Sequence, residues 1–174
     1  KSSTLAAILQ EFNLRSPVHI ATIEDPVEYI HTPEKALFTR KEIGKSTDGF
    51  APALKDTLRE DPDIILLGEI RDQETMRVAL TAAETGHLVL GTLHASGAVQ
   101  SIERILNFFP THEHEATART LATTLRSVLA QRLIPSINNS SRVLAYELMG
   151  VSKPIAQLIR ERKLEQMPSA ITNP

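Results

Sequence analysis

The sequence predicts an α/β fold with a mostly parallel sheet. Ile64-Ile65-Leu66-Leu67 is an unbroken apolar run, as in a strand buried on both faces of a parallel sheet. Strand-like and helix-like segments alternate along the chain, the order that βαβ units produce. Glu24-Asp25-Pro26, Gly68-Glu69 and Thr92-Leu93-His94 each follow a strand-like segment, and ligands of open α/β sheets bind beyond strand carboxyl ends.

The elements follow in order. Leu5, Ile8, Leu9 and Phe12 have helical spacing, and Ser2 or Ser3 suits the start of that helix. Val18 to Ile23 is β-branched and apolar, so it reads as a strand ending at Glu24-Asp25-Pro26. A second short strand is expected over 36–43, and a helix over 48–59 that stops at Glu60-Asp61-Pro62. A helix over 72–84 has Asp72 as its N-cap and Gly86 as its stop. A strand over 87–94 and a helix over 99–108 come next. A longer helix is expected over 113–133, then a strand over 142–149 and a last helix over 154–163. The polar tract Asn138-Asn139-Ser140-Ser141 reads as a hinge. It would divide a core, residues 1–135, from a small, helical C-terminal region, residues 136–174.

Composition limits the function. The 174 residues carry 19 Lys plus Arg against 21 Asp plus Glu, so no global basic surface exists for nucleic acid or an anionic membrane. Aromatics make up only 4%, too few for a base-stacking platform. Without cysteine there is no disulfide, thiolate metal site or cysteine nucleophile. No apolar run approaches the roughly 20 residues of a membrane-spanning helix, and no signal-peptide pattern opens the chain. A soluble, cytoplasmic domain is the expectation.

The carboxylates at the strand ends carry the chemistry. Converging acids repel unless a cation or proton sits among them, and Mg²⁺ prefers such oxygen ligands. Glu24, Asp25 and Glu28 also read as a solvated turn. Glu69, directly after the apolar strand, is harder to explain that way, because an unpaired buried carboxylate is costly. His87 and His94 read equally as packed histidines, and the six histidines form no zinc motif. Lys1-Ser2 before a helix matches the end of a phosphate-binding loop, G-x-x-x-x-G-K-[ST], without its glycines.

Together these segments resemble the secretion ATPases that drive type II secretion and type IV pili. The densest match runs from Leu67-Gly68-Glu69-Ile70-Arg71-Asp72 through Ala79-Leu80-Thr81-Ala82-Ala83-Glu84-Thr85-Gly86-His87. Thr22-Ile23-Glu24-Asp25-Pro26-Val27-Glu28-Tyr29 is similar to the family's Asp box, and the segment Gly86 to His94 to its His box. Within the family, the absence of cysteine and the run Ile102-Glu103-Arg104-Ile105 with Phe109-Pro110 are most similar to the pilus-retraction members. Residues 154–161 match those members' C-terminal motif only in part.

The resemblance implies a RecA-like P-loop NTPase core that hydrolyses ATP with Mg²⁺. It implies Lys1 and Ser2 as the Walker A lysine and its Mg²⁺-binding hydroxyl, with Ser3, Asp25 and Arg71 also at the nucleotide. Glu28 would be the general base, and Glu69 the Walker B glutamate near Mg²⁺. His87 and His94 would be the His-box pair, with His94 sensing the γ-phosphate. Arg59 is a further charge partner. The implied assembly is a homohexamer at the cytoplasmic face of the bacterial inner membrane. It would act on a pilus platform protein and, through that, on the pilin fibre, with no nucleic acid involved. The family carries a PAS-like domain, a strand and a glycine-rich loop ahead of the lysine. The expectation is therefore a fragment that alone binds ATP poorly. An extension or secretion ATPase, or a non-catalytic subunit supporting a retraction motor, are the alternatives.

Overall fold

The computed structural model describes residues 1–137 and 141–172. The chain forms two compact units, Lys1–Leu93 and His94–Pro174.

The first unit is a four-stranded sheet in the order β2-β1-β3-β4, with every pairing parallel. The strands are β1 (His19–Glu24), β2 (Leu37–Glu42), β3 (Ile64–Leu67) and β4 (Leu88–Gly91). All four β3 residues are buried, as the unbroken apolar run predicts. Strand alternation sends Ile20, Ile64 and Leu66 to one face, where Leu5, Leu9 and Phe12 of α1 (Ser2–Arg15) join the same core. Ala21, Ile23, Ile65 and Leu67 point the other way. On the helical layer, α2 (Phe50–Thr57) contacts β1, and α3 (Gln73–Glu84) contacts both α2 and β4. Helices on both faces explain why β3 tolerates no polar residue.

Local signals set the ends of these elements. Asp72 caps α3 by accepting the Thr75 N–H at 2.8 Å, and its other oxygen accepts the Thr75 hydroxyl at 3.0 Å. Gly86, with φ of 102°, takes the left-handed conformation that stops the helix. After α2, Asp61 takes the left-handed conformation instead, with φ of 54°. Asparagine and aspartate adopt that region more readily than most residues.

The second unit comprises α4 (Ala98–Leu106), a 3-10 turn Thr111–Glu113, α5 (His114–Thr124), β5 (Ser127–Pro135), β6 (Arg142–Gly150), α6 (Lys153–Glu161), a 3-10 turn Leu164–Gln166 and α7 (Met167–Thr172). Ile102, Leu121, Met149, Ile159 and Met167 form its buried centre.

Two expectations change here. The helix expected over 113–133 ends at Thr124, where Leu125 turns extended with ψ of 127°. Residues 127–135 pair antiparallel with β6 along the whole ladder, from Ser127↔Gly150 to Pro135↔Arg142. Apolar spacing compatible with a helix was overridden by a partner strand further along the chain. The helix expected last is followed by α7. The units divide at Leu93/His94, while position 135 is the end of a paired strand. Residues 138–140 of the expected hinge lie outside the described residues.

Candidate functional site

Parallel pairing brings the carboxyl ends of the strands to one edge of the first unit. Ile23, Leu67 and Gly91 are register partners across β1, β3 and β4, so Glu24, Gly68 and Thr92 follow them along the next row. Gly68 lets β1 and β3 close up there. A Cβ at this position would sit 3.3 Å from the Glu24 Cα, tighter than ordinary packing, and the Gly68 N–H donates to the Ile23 carbonyl at 2.8 Å. The Thr92 hydroxyl donates to the Gly68 carbonyl at 2.6 Å, and the Ile70 N–H donates to the Thr92 carbonyl at 3.0 Å. These bonds stitch the end of β3 to the end of β4.

The start of α1 belongs to the same edge. Lys1 is its N-cap and makes no side-chain capping bond. Its ammonium donates to the Leu93 carbonyl. Serines at a helix start commonly cap it, but here both hydroxyls reach to the segment after β1. Ser2 Oγ donates to Glu28 Oε1 at 2.9 Å, and Ser3 Oγ lies 2.9 Å from the Tyr29 hydroxyl in a shared hydrogen bond. Two consecutive residues of the helix thus hold two consecutive residues of the Asp-box-like segment. The Glu28 N–H makes a long contact, 3.4 Å, to a Glu24 carboxylate oxygen.

After β3, the Glu69 side chain is only 19% exposed. Arg71 meets it with Nε at 2.6 Å and Nη2 at 2.5 Å, both on Oε2. Hydrogen bonding to Glu69 first, then the Glu69 charge, hold the Arg71 guanidinium above its usual value against an opposing desolvation, with the Asp25 charge a lesser aid.

The structure therefore gathers Lys1, Ser2, Ser3, Asp25, Glu28, Glu69 and Arg71 at the carboxyl edge of the first unit. It does not bring His87 there. His87 precedes β4, with about 13 Å of strand between it and the opposite edge. Its Nδ1 lies 3.0 Å from the Ala82 carbonyl and 3.1 Å from the Thr85 hydroxyl, at the end of α3. His94 is exposed and is the first residue of the second unit. Thr92 and the Leu93 carbonyl take part in the edge, as the strand-end segment Thr92-Leu93-His94 led one to expect, and Tyr29 joins them although it was given no role from the sequence. Their signal was position, because each directly follows a strand or a candidate carboxylate.

Among the described residues, no group of three or more His, Asp or Glu is placed to hold a metal unaided. No helix there is long and apolar enough to cross a membrane.

A parallel sheet whose carboxyl edge joins a helix start to several carboxylates has the layout of an open α/β protein, whose ligands bind beyond the strand ends. Comparison with known proteins carries this to a family. The family model described as "Type II/IV secretion system protein" matches residues 1–170, and the chain belongs to that family. It is 50% identical over 171 residues to the type IV pilus retraction ATPase PilT of Pseudomonas aeruginosa, covering 98% of this chain and 49% of that protein. It is 45% identical to a twitching motility protein of Neisseria gonorrhoeae, covering 98% and 46% respectively. The crystal structure of the pilus retraction motor PilT with bound ADP superposes with a TM-score of 0.94 at 46% identity, covering 98% of this chain and 50% of that one. The chain spans about half the length of the curated relatives it matches.

Proposed function

We infer that this chain supplies the ATP-hydrolysing core of a motor subunit that drives type IV pilus retraction, and hence twitching motility. The observation that carries this reading is the 2.9 Å hydrogen bond from Ser2 to Glu28. It joins the helix start that resembles a phosphate site to the carboxylate that resembles the family's base. The similarity to PilT supports the retraction direction.

The residues at the edge fit nucleotide and Mg²⁺. The start of α1 has no capping side chain, which suits an anion at a helix N-terminus. The candidate metal ligands, the Ser2 hydroxyl and the Glu69 carboxylate, are hard oxygen donors. They are few, as befits an ion whose shell is completed by phosphate and water. Bound Mg²⁺ would neutralise charge on the phosphates. Lys1 would add positive charge at the β- and γ-phosphates by exchanging the Leu93 carbonyl for phosphate oxygen. Ser3 and Asp25 would border the nucleotide.

Hydrolysis joins a water oxygen to the γ-phosphorus and breaks its bond to the bridging oxygen of ADP. Glu28 would orient that water and take its proton, a contribution of about 10²–10⁴-fold, while Glu69 would hold the second carboxylate position. His94 would lose a γ-phosphate partner on hydrolysis, a local change able to bias a larger movement. In the cell the subunit would act as a homohexamer at the cytoplasmic face of the inner membrane. It would turn against a pilus platform protein and so withdraw the pilin fibre.

The test uses a chain of the relatives' full length that carries these residues. Such a protein is expected to hydrolyse Mg-ATP, and Glu28→Gln to lower kcat by about 10²–10³-fold. Unchanged turnover in Glu28→Gln would remove Glu28 as base. Direction is read genetically, since deletion should leave surface pili and abolish twitching. Loss of the pili would make the protein an extension motor.

A further inference from the structure

We propose that Arg71 is a positioning residue for Glu69, fixing its carboxylate at the carboxyl edge rather than contacting the nucleotide itself. This inference rests on the ATPase reading above.

The geometry of the pair is its first support. Two donors of one guanidinium, Nε and Nη2, converge on the single oxygen Oε2. That arrangement restrains the carboxylate more than one hydrogen bond would. The backbone on either side of Arg71 is anchored. Ile70 is buried and its N–H is held by the Thr92 carbonyl, and Asp72 is fixed as the cap of α3. Arg71 therefore reaches Glu69 from a segment with little slack.

Charge gives the second support. Glu24, Asp25, Glu28 and Glu69 all belong to the same sheet edge, and gathered carboxylates push one another apart. Lys1 turns its ammonium to the Leu93 carbonyl. Among the described residues, Arg71 brings a cation directly onto a carboxylate of this group.

Exposure gives the third. The Glu69 side chain is 19% exposed and that of Arg71 58%. An ion pair this open to water adds little to stability, so holding the fold together is a poor account of it. Orientation of a half-buried carboxylate is the better one.

A double-mutant cycle in the full-length protein tests the proposal, using Arg71→Ala, Arg71→Lys, Glu69→Gln and the Arg71→Ala/Glu69→Gln pair. Arg71→Ala is expected to lower kcat about 10-fold or more through lost orientation, leaving the ATP KM and the affinity for a fluorescent ADP analogue within about twofold. Arg71→Lys should recover part of that loss, because an ammonium donates but lacks the planar fork. In the Glu69→Gln background, Arg71→Ala should cost less than about twofold further. Weaker binding of the ADP analogue by Arg71→Ala, or the same fold-loss in both backgrounds, would overturn the proposal. If Arg71→Ala melts early, the same comparisons rest on Arg71→Lys. Absence of turnover in the unmutated protein would instead reject the ATPase reading, and this inference with it, before any variant is compared.

Discussion

The two edges of the first unit's sheet both carry polar residues and are unlike in construction. At the carboxyl edge, side chains from separate elements meet one another, Ser2 with Glu28 and Ser3 with Tyr29. At the amino edge, polar groups mainly close off backbone. Asp63 Oδ2 accepts the His19 N–H at 2.8 Å, and the Asp63 carbonyl accepts the Leu88 N–H at 3.0 Å. His19 Nδ1 lies 3.3 Å from the Asp61 carbonyl, its Nε2 lies 2.8 Å from the Thr39 hydroxyl, and His87 is tied to the end of α3. One edge assembles groups that can face a ligand. The other spends its groups on finishing strands and helices. A polar residue beside a strand is thus informative only when its end of the strand is known.

Asp63 offers the strongest way to break this contrast from the amino side. Asp63→Ala removes the acceptor for the first N–H of β1 and should cost about 1 kcal/mol of stability in urea denaturation. ATP turnover by the full-length protein should stay within twofold. A large loss of turnover with stability unchanged would place the amino edge in the chemistry.

His87 sharpens the contrast, because sequence resemblance puts it with the reactive residues and the fold puts it at the other edge. His87→Ala should cost about 0.5–1 kcal/mol, the value of a partly exposed hydrogen bond at the close of α3. It should leave kcat of the isolated, full-length subunit nearly intact. A fall in kcat comparable with that of Glu28→Gln would mean that His87 reaches a site this unit alone does not contain.

Much of the first unit was legible because its signals are local. The run Ile64–Leu67 fixes a doubly buried strand, and Asp72 with Thr75 three residues on fixes the start of α3. That Glu28 and Glu69 share an edge followed from βαβ order alone, since parallel strands deliver all their carboxyl ends to one side. What failed depends on partners distant in sequence. Ser127–Pro135 carries spacing that a helix also satisfies, and only β6 makes it a strand. His87 entered the candidate site through the resemblance of the segment Gly86 to His94 to the family's His box. That segment holds a four-residue strand, so its two histidines flank opposite ends. The clasp of Ser2 and Ser3 on Glu28 and Tyr29 crosses 26 residues and leaves no periodic mark.

His31, on the segment that leads from the carboxyl end of β1 back to β2, gives the smallest and most specific test. His31 stacks on Phe38 with ring centroids 5.1 Å apart, and its Nδ1 lies 2.9 Å from Gln10 Oε1. Burial first, then the Arg40 guanidinium, holds its imidazole below the usual value, with Glu24 pulling weakly the other way. A histidine lowered in the folded state binds its proton more readily when unfolded. Its contribution to stability is therefore fully present above the unfolded value of about 6.5 and is lost as pH falls below it through the folded value. The melting temperature should drop between pH 7.5 and 5.5, and drop less in His31→Gln, which keeps a polar partner for Gln10 without the titration. Equal slopes in the two proteins would remove His31 as the cause. A steeper slope in the variant would reverse the sign of the argument and mean that the protonated ring is favoured by this segment.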